Sequence, residues 1–162
     1  IDGRKLGSLR FFDTLESLQV ELNKIGQDLV NQDTSLEIFH RLIRYPQRKK
    51  VITKFLLDQK PFAGIGNYLK SEILYTARIS PFSRVCDLTD EQIYNLYHAT
   101  LLIIRRSYDH GGLTIKDFLP PSGKHGTYPC MVYGKDFDPH GLPVSRYLEG
   151  DRPTYWVPLI QK

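Results

Sequence analysis

The stretch 58-DQKPFAGIGNYLKSEIL-74 decides how this chain is read. A short glycine-rich turn, Gly64-Ile65-Gly66-Asn67, separates two apolar runs, and an amphipathic helix is predicted from about Tyr68 to Ala77. Gly64 and Gly66 are free to take positive φ and leave the backbone bare. Asn67 stands where the helix begins, a favoured capping position. Helix-start N–H groups are unpaired and carry the positive end of the helix dipole, so such a turn can receive a phosphate. Lys49, Lys50, Lys54, Lys60 and Lys70 surround it. The same residues also fit a plain helix–helix connection. A dinucleotide-binding fingerprint is excluded, because the third glycine is missing and the flanks are helical.

Upstream, residues 4–12 read as strand-like. Asp13-Thr14-Leu15-Glu16 has the form of a capping box, followed by Leu15, Leu18, Leu22 and Ile25 at helical spacing. Residues 26–33 are polar and read as a linker. Leu36, Phe39, Leu42 and Ile43 mark a second helix, which Tyr45-Pro46 interrupts. Val51, Ile52, Phe55 and Leu56 mark a third. Downstream, Thr89-Asp90-Glu91-Gln92 is a capping box that opens the longest helix. Its inward stripe is Ile93, Leu96, Tyr97, Thr100, Leu101 and Ile104. Helical periodicity stops at Gly111-Gly112. Strands are expected at 144–148 and 153–159, joined by a four-residue loop, 149–152.

The chain has 162 residues, 41% of them hydrophobic, with a net charge of +4 and a pI near 9.0. That suits one domain or two small ones, and is compatible with a polyanionic partner. No apolar run reaches the ~18–20 residues of a membrane helix. Cys86 and Cys130 lie far apart with no C-x-x-C pair, so they read as two buried thiols. The chain opens on Ile1-Asp2-Gly3-Arg4 and not on methionine, which reads as a piece of a longer protein.

Residues 56–81 resemble the helix–two-turn–helix of the formamidopyrimidine/endonuclease VIII (Fpg/Nei) DNA glycosylases. The resemblance rests on Leu57, Asp58, Gln59, Gly64, Gly66, Asn67, Glu72, Leu74, Ile79 and Pro81. It extends to residues 2–7, to 111-GGLTIKDF-118, to 132-VYGK-135 and to 152-RPTYWVP-158, so it covers nearly the whole chain. It implies a mainly α fold with a small β part. Residues 1–31 would be the tail of an N-terminal β domain and a linker, 32–124 the helix–two-turn–helix domain, and 125–162 a finger. Most members hold zinc in that finger through two C-x-x-C pairs. Here Val157 and Ile160 occupy the second pair's places and the stretch 136-DFDPHGLP-143 has no cysteine. The resemblance is therefore to a zincless finger with no metal and no cofactor, its hairpin held by Tyr147, Tyr155, Trp156 and Val157.

The resemblance further implies a base-excision repair DNA glycosylase/AP lyase that flips oxidised bases and forms a Schiff base. Its nucleophile, the N-terminal amine, lies outside this chain, so no catalytic residue is assigned here and the fragment alone is expected to be inactive. Asn67 and Gly66 in the turn, Lys54, Arg152 at the hairpin tip and Lys5 correspond to DNA-contacting positions. Leu6 corresponds to a wedge that fills the gap left by the flipped base; it fits a core position equally well. Residues 111–124 correspond to a loop over the extruded base. Glu72 reads as a structural partner of turn amides. The expected partner is damaged DNA, duplex or single strand, bound by a monomer in an intracellular, nuclear or viral/cytoplasmic DNA compartment and not in secreted form. The alternative is a non-enzymatic nucleic-acid-binding helix–two-turn–helix module.

Overall fold

Apolar spacing and caps set the helices. The computed structural model describes residues 9–30, 34–44, 49–113, 126–150 and 152–162, with Glu149 described in its backbone only. Helix α1 spans Leu15–Leu22, α2 Leu36–Arg44, α3 Ile52–Leu56, α4 Asn67–Thr76 and α5 Asp90–Asp109. Two short strands, β1 (Gln27–Asp28) and β2 (Phe62–Ala63), pair in parallel. Strands β3 (Ser145–Glu149) and β4 (Arg152–Trp156) form an antiparallel hairpin. The fold is mainly α with a small β part, as the sequence predicts, and no helix among the described residues is long and apolar enough to cross a membrane.

The core lies where α2, α3, β2, α4 and α5 meet. Phe39, Ile43, Ile52, Phe55, Leu56, Phe62, Ile73, Leu74, Ile93, Leu96 and Ile103 have no exposed surface. Burying each large apolar side chain is worth roughly 1.5–3 kcal/mol. Phe39 stacks on Phe62 at 4.7 Å, and Phe55 meets the same ring edge-on at 5.9 Å. Helix α5 starts with the predicted capping box: Thr89 Oγ1 accepts from the Gln92 N–H while Gln92 Oε1 accepts from the Thr89 N–H. Its buried stripe runs Ile93, Leu96, Ala99, Thr100, Ile103, Ile104 and Ser107, with Tyr97 and Leu101 half-buried at its edge.

Several expectations change. Residues 9–12 form no strand; Leu9 and Phe11 are exposed, because a strand needs a neighbour to pair with and none adjoins them among the described residues. Helix α1 forms, but Thr14 and not Asp13 is its cap, accepting from the Ser17 N–H. Its apolar face stays open: α1 has no buried residue, and Leu15 is 82% exposed. The supposed linker supplies β1, with Gly26 pressed against the Lys60-Pro61 backbone so closely that a Cβ would lie 2.4 Å from the Lys60 carbonyl oxygen. The hairpin loop is shorter than expected, because Glu149 pairs with Arg152 and leaves two residues between them. Cys86 is exposed and Cys130 half-buried, so the pair are not two buried thiols. Tyr45-Pro46 lies outside the described residues.

Helix α4 ends in a Schellman motif, with the Ile79 N–H on the Leu74 carbonyl and the Arg78 N–H on the Tyr75 carbonyl. The left-handed position that this turn requires is filled by Arg78, at φ 57°, where glycine is the usual occupant.

Candidate nucleic-acid interface

The turn before α4 is built by its own side chains. Gln59 Oε1 accepts from the Gly64 N–H at 2.8 Å, and Gln59 Nε2 donates to the carbonyls of Leu57 and Ile65. Asp58 accepts from the Lys60 N–H and from Lys50 Nζ at 2.6 Å; Lys50 is the main reason its carboxyl sits below the ordinary aspartate value. Gly64 takes a positive φ of 85°, which explains the glycine. Gly66 does not. It is extended (φ −97°, ψ −175°) and is itself the helix cap, with open space where a Cβ would stand. Its value lies in leaving the first turn of α4 uncovered, where N–H groups have no intrahelical partner.

Asn67 is therefore the first residue of the helix and not its cap. Its side chain turns instead to the finger. Asn67 Nδ2 donates to the Pro153 carbonyl at 2.8 Å and lies 3.4 Å from the Tyr133 hydroxyl. Lys70 Nζ donates to Asn67 Oδ1 at 2.8 Å. Pro153 directly follows Arg152, whose side chain is exposed at the start of β4. The structure thus brings Gly66, Asn67 and Arg152 to one place, although Asn67 and Arg152 stand 85 positions apart in sequence. Lys54 is exposed in the last turn of α3, on the segment that leads into the turn. Lys5 and Leu6 lie outside the described residues, as do 114–124 of the expected loop.

One stripe of α4 holds the finger in place. Below Asn67, Ser71 Oγ accepts from the Tyr155 N–H at 3.3 Å, and the Tyr75 hydroxyl donates to Asp138 at 2.9 Å. Beside them, the fully buried Glu72 carboxylate accepts the N–H groups of Met131, Val132 and Tyr133 at 2.8, 2.9 and 2.9 Å. Glu72 is thus the partner of turn amides that the sequence suggests. Sequence reasoning missed the stripe Asn67, Ser71, Tyr75. The signal available was polar residues at i, i+4 and i+8 on a helix flanked by apolar ones.

The places where relatives of the resembled family carry zinc ligands do not fit a metal. Val157 has no exposed surface and packs with Tyr75, Val132, Leu142, Val144, Tyr155 and Ile160. The turn that follows is closed by Gln161, whose side chain accepts the Val157 N–H at 2.7 Å and donates to the Ile79 carbonyl at 2.9 Å. In the stretch 136–143 Asp138 Oδ1 accepts the His140 and Leu142 N–H groups at 2.9 and 2.8 Å. No cluster of His, Cys, Asp and Glu among the described residues could hold a metal ion. Of the four side chains expected to hold the hairpin, only Val157 and Tyr155 join this cluster. Tyr147 and Trp156 pack edge-on against Phe82, at 4.9 and 5.2 Å, tying the hairpin to the exit of α4. Burial pushes the Cys130 thiol up to about 12, with Glu72 adding to the shift, which leaves it protonated and inert.

A mostly apolar cleft of about 520 Å³ opens beside Gly64, walled by Tyr68, Leu69, Ile104 and Gly112. Tyr68 reaches across it to the Ser107 hydroxyl at 2.7 Å.

Residues 25–118 match the model of the formamidopyrimidine-DNA glycosylase H2TH domain. Formamidopyrimidine-DNA glycosylase of Bacillus anthracis is 29% identical over 166 residues, covering 99% of this chain and 59% of the relative. Among solved structures, the MutM (Fpg) protein of Thermus thermophilus superposes with a TM-score of 0.79 at 29% identity, over 94% of this chain and 59% of that one. Lactococcus lactis Fpg, in a complex with DNA containing an abasic site, gives a TM-score of 0.77 at 26% identity, over 91% of this chain and 55% of that one. The chain thus spans less than two thirds of the length of these relatives.

Proposed function

The chain belongs to the formamidopyrimidine-DNA glycosylase H2TH-domain family, and from that premise we propose that it is the DNA-holding part of a base-excision repair enzyme. The whole protein would remove oxidised bases as a glycosylase and AP lyase, by base flipping and Schiff-base chemistry on a nucleophile outside this chain. The fragment alone would then bind DNA without excising bases. Residues 1–31, 32–124 and 125–162 would serve as domain tail, helix–two-turn–helix body and finger. The protein would work as a monomer in an intracellular DNA compartment.

The observation that carries this reading is the bond from Asn67 Nδ2 to the Pro153 carbonyl. It joins the uncovered start of α4 to the residue beside Arg152, so that the turn and the hairpin present a single surface. A helix N-terminus attracts a phosphate through its free N–H groups. An arginine fork adds a bidentate, charge-assisted contact. Lys54 and Lys5 would add charge along the same strand, and Leu6 would wedge into the stack. The net charge of +4 suits a polyanion.

The test is fluorescence anisotropy with a duplex carrying an abasic-site analogue, across a range of salt. Arg152→Ala should weaken binding and make the dependence of log Kd on log salt shallower by about one phosphate contact, a slope change of about 0.9. Asn67→Ala should weaken binding with the slope unchanged. Full affinity in both variants would overturn the site. Borohydride trapping of the longer protein on abasic DNA separates the enzyme from a non-enzymatic binding module, which would never crosslink.

A further inference from the structure

Lys70 has no exposed surface, and it lies in the first turns of α4, three residues after Asn67. This is an unfavourable place for a lysine. Burial penalises its charge, and the start of a helix is the positive end of the dipole. Its amine donates to Asn67 Oδ1 at 2.8 Å. That contact fixes which way the Asn67 amide points. A flipped amide would set its NH₂ against the lysine amine, donor against donor. With Oδ1 held by Lys70, Nδ2 faces the finger, where one hydrogen goes to the Pro153 carbonyl at 2.8 Å. Among the described residues the second hydrogen has only the long 3.4 Å approach to the Tyr133 hydroxyl. It remains available for a stronger acceptor at the surface.

We propose that Lys70 is a positioning residue for DNA phosphate: it never touches DNA, but locks the Asn67 amide so that Nδ2 can serve the Pro153 carbonyl and a phosphate oxygen together. This inference rests on the DNA-holding reading above. It assigns the buried lysine a role that its burial rules out by direct contact. It also makes Asn67 a coupling group, since the amide that holds the hairpin is the one offered to the strand.

A double-mutant cycle tests this on the full chain, with the abasic-analogue duplex as probe. Lys70→Met should weaken binding about tenfold, as Asn67→Ala does, since a buried hydrogen bond is lost and the Asn67 oxygen is left unsatisfied. The double variant should bind no more weakly than Asn67→Ala alone. The salt slope of Lys70→Met should equal that of the unaltered chain. Multiplying losses, a shallower slope, or Lys70→Met binding like the unaltered chain would each overturn the inference alone. An unaltered chain that binds no duplex would overturn the DNA-holding reading and this inference with it. A second measurement needs no variant. Reductive methylation read by mass spectrometry should leave Lys70 unmodified with or without DNA, whereas exposed Lys54 is modified in the free protein. Methylation of Lys70 at the rate of Lys54 in the free protein would refute its burial and the inference.

Discussion

Replacing Glu72 by Gln should loosen the finger without changing the shape of the helix beneath it. Glu72 Oε1 accepts from both the Val132 and Tyr133 N–H groups, and Oε2 accepts from the Met131 N–H. Glutamine keeps one acceptor oxygen. Its better orientation sets that oxygen against the two donors and turns its NH₂ toward the Met131 N–H. One buried donor is then unsatisfied and faces another donor, which costs about 1–3 kcal/mol. The two remaining bonds lose their charge assistance, roughly half their strength. Together the loss is about 2–4 kcal/mol. At ~2–4 °C per kcal/mol for a domain of this size, the melting temperature should fall by about 4–16 °C. Glu72→Ala, which orphans the three backbone donors, takes the acceptor from the Tyr128 hydroxyl as well and opens a cavity, should cost more. The assay is thermal denaturation, paired with hydrogen exchange at residues 131–133, whose amides should lose protection before those of α5. A Glu72→Gln variant within about 0.5 kcal/mol of the parent would refute the reasoning, since that is the scatter of an ordinary surface substitution.

Arg78→Gly should stabilise the fold by about 1 kcal/mol, read as a higher denaturation midpoint at constant m, because the left-handed conformation at φ 57° is strained for arginine and free for glycine; an unchanged or lower midpoint would contradict it. Burial pushes the Asp138 carboxyl up, but the Leu142 N–H, the Tyr75 hydroxyl and the His140 N–H outweigh it and hold the carboxyl below the ordinary aspartate value. A depressed folded value means that this stabilisation is present above the unfolded value, ~3.9, and is lost as pH falls through the folded one. Asp138→Asn should therefore be less stable than the parent at pH 6 and approach it toward pH 3; a gap constant across melting curves from pH 6 to 3 would exclude the linkage. Burial, with the Asp138 contact adding to it, raises the Tyr75 hydroxyl to about 12, and burial pushes Tyr128 higher still, so a spectrophotometric titration should show these two tyrosines ionising after the others, or only on unfolding.

The helical body was legible where local rules act alone. The Thr89–Gln92 box and the stripe along α5 depend on residues three and four apart, and the structure keeps both. Helix α1 shows the limit of the same rule. Its apolar spacing is real, but periodicity reports only that a face is apolar, not that a partner covers it; in this chain Leu15 and Leu22 are exposed. The hairpin was found in the right part of the chain, but its second strand ends at Trp156 and not at 159, and its loop is two residues and not four, because strand bounds and the pairing of Glu149 with Arg152 depend on backbone hydrogen bonds between strands. Gly26 read as linker, since only the three-dimensional fold brings Lys60 and Pro61 against it.

The sequence by itself determined the class of fold, the turn at 64–67 and the family resemblance. Each rests on neighbours in the chain: two glycines, a cap, an apolar period, a motif of fixed spacing. Only the tertiary structure decided what Asn67 and Lys70 do, and which amides Glu72 serves. Asn67 finds Pro153 across 86 positions, and Glu72 finds Met131, Val132 and Tyr133 across 59, 60 and 61. Buried polar groups must be satisfied wherever the fold puts a complementary atom, and no local pattern says which atom that will be. The turn is therefore readable as a helix start from its residues. That it is also the socket for the finger follows only from where the chain returns.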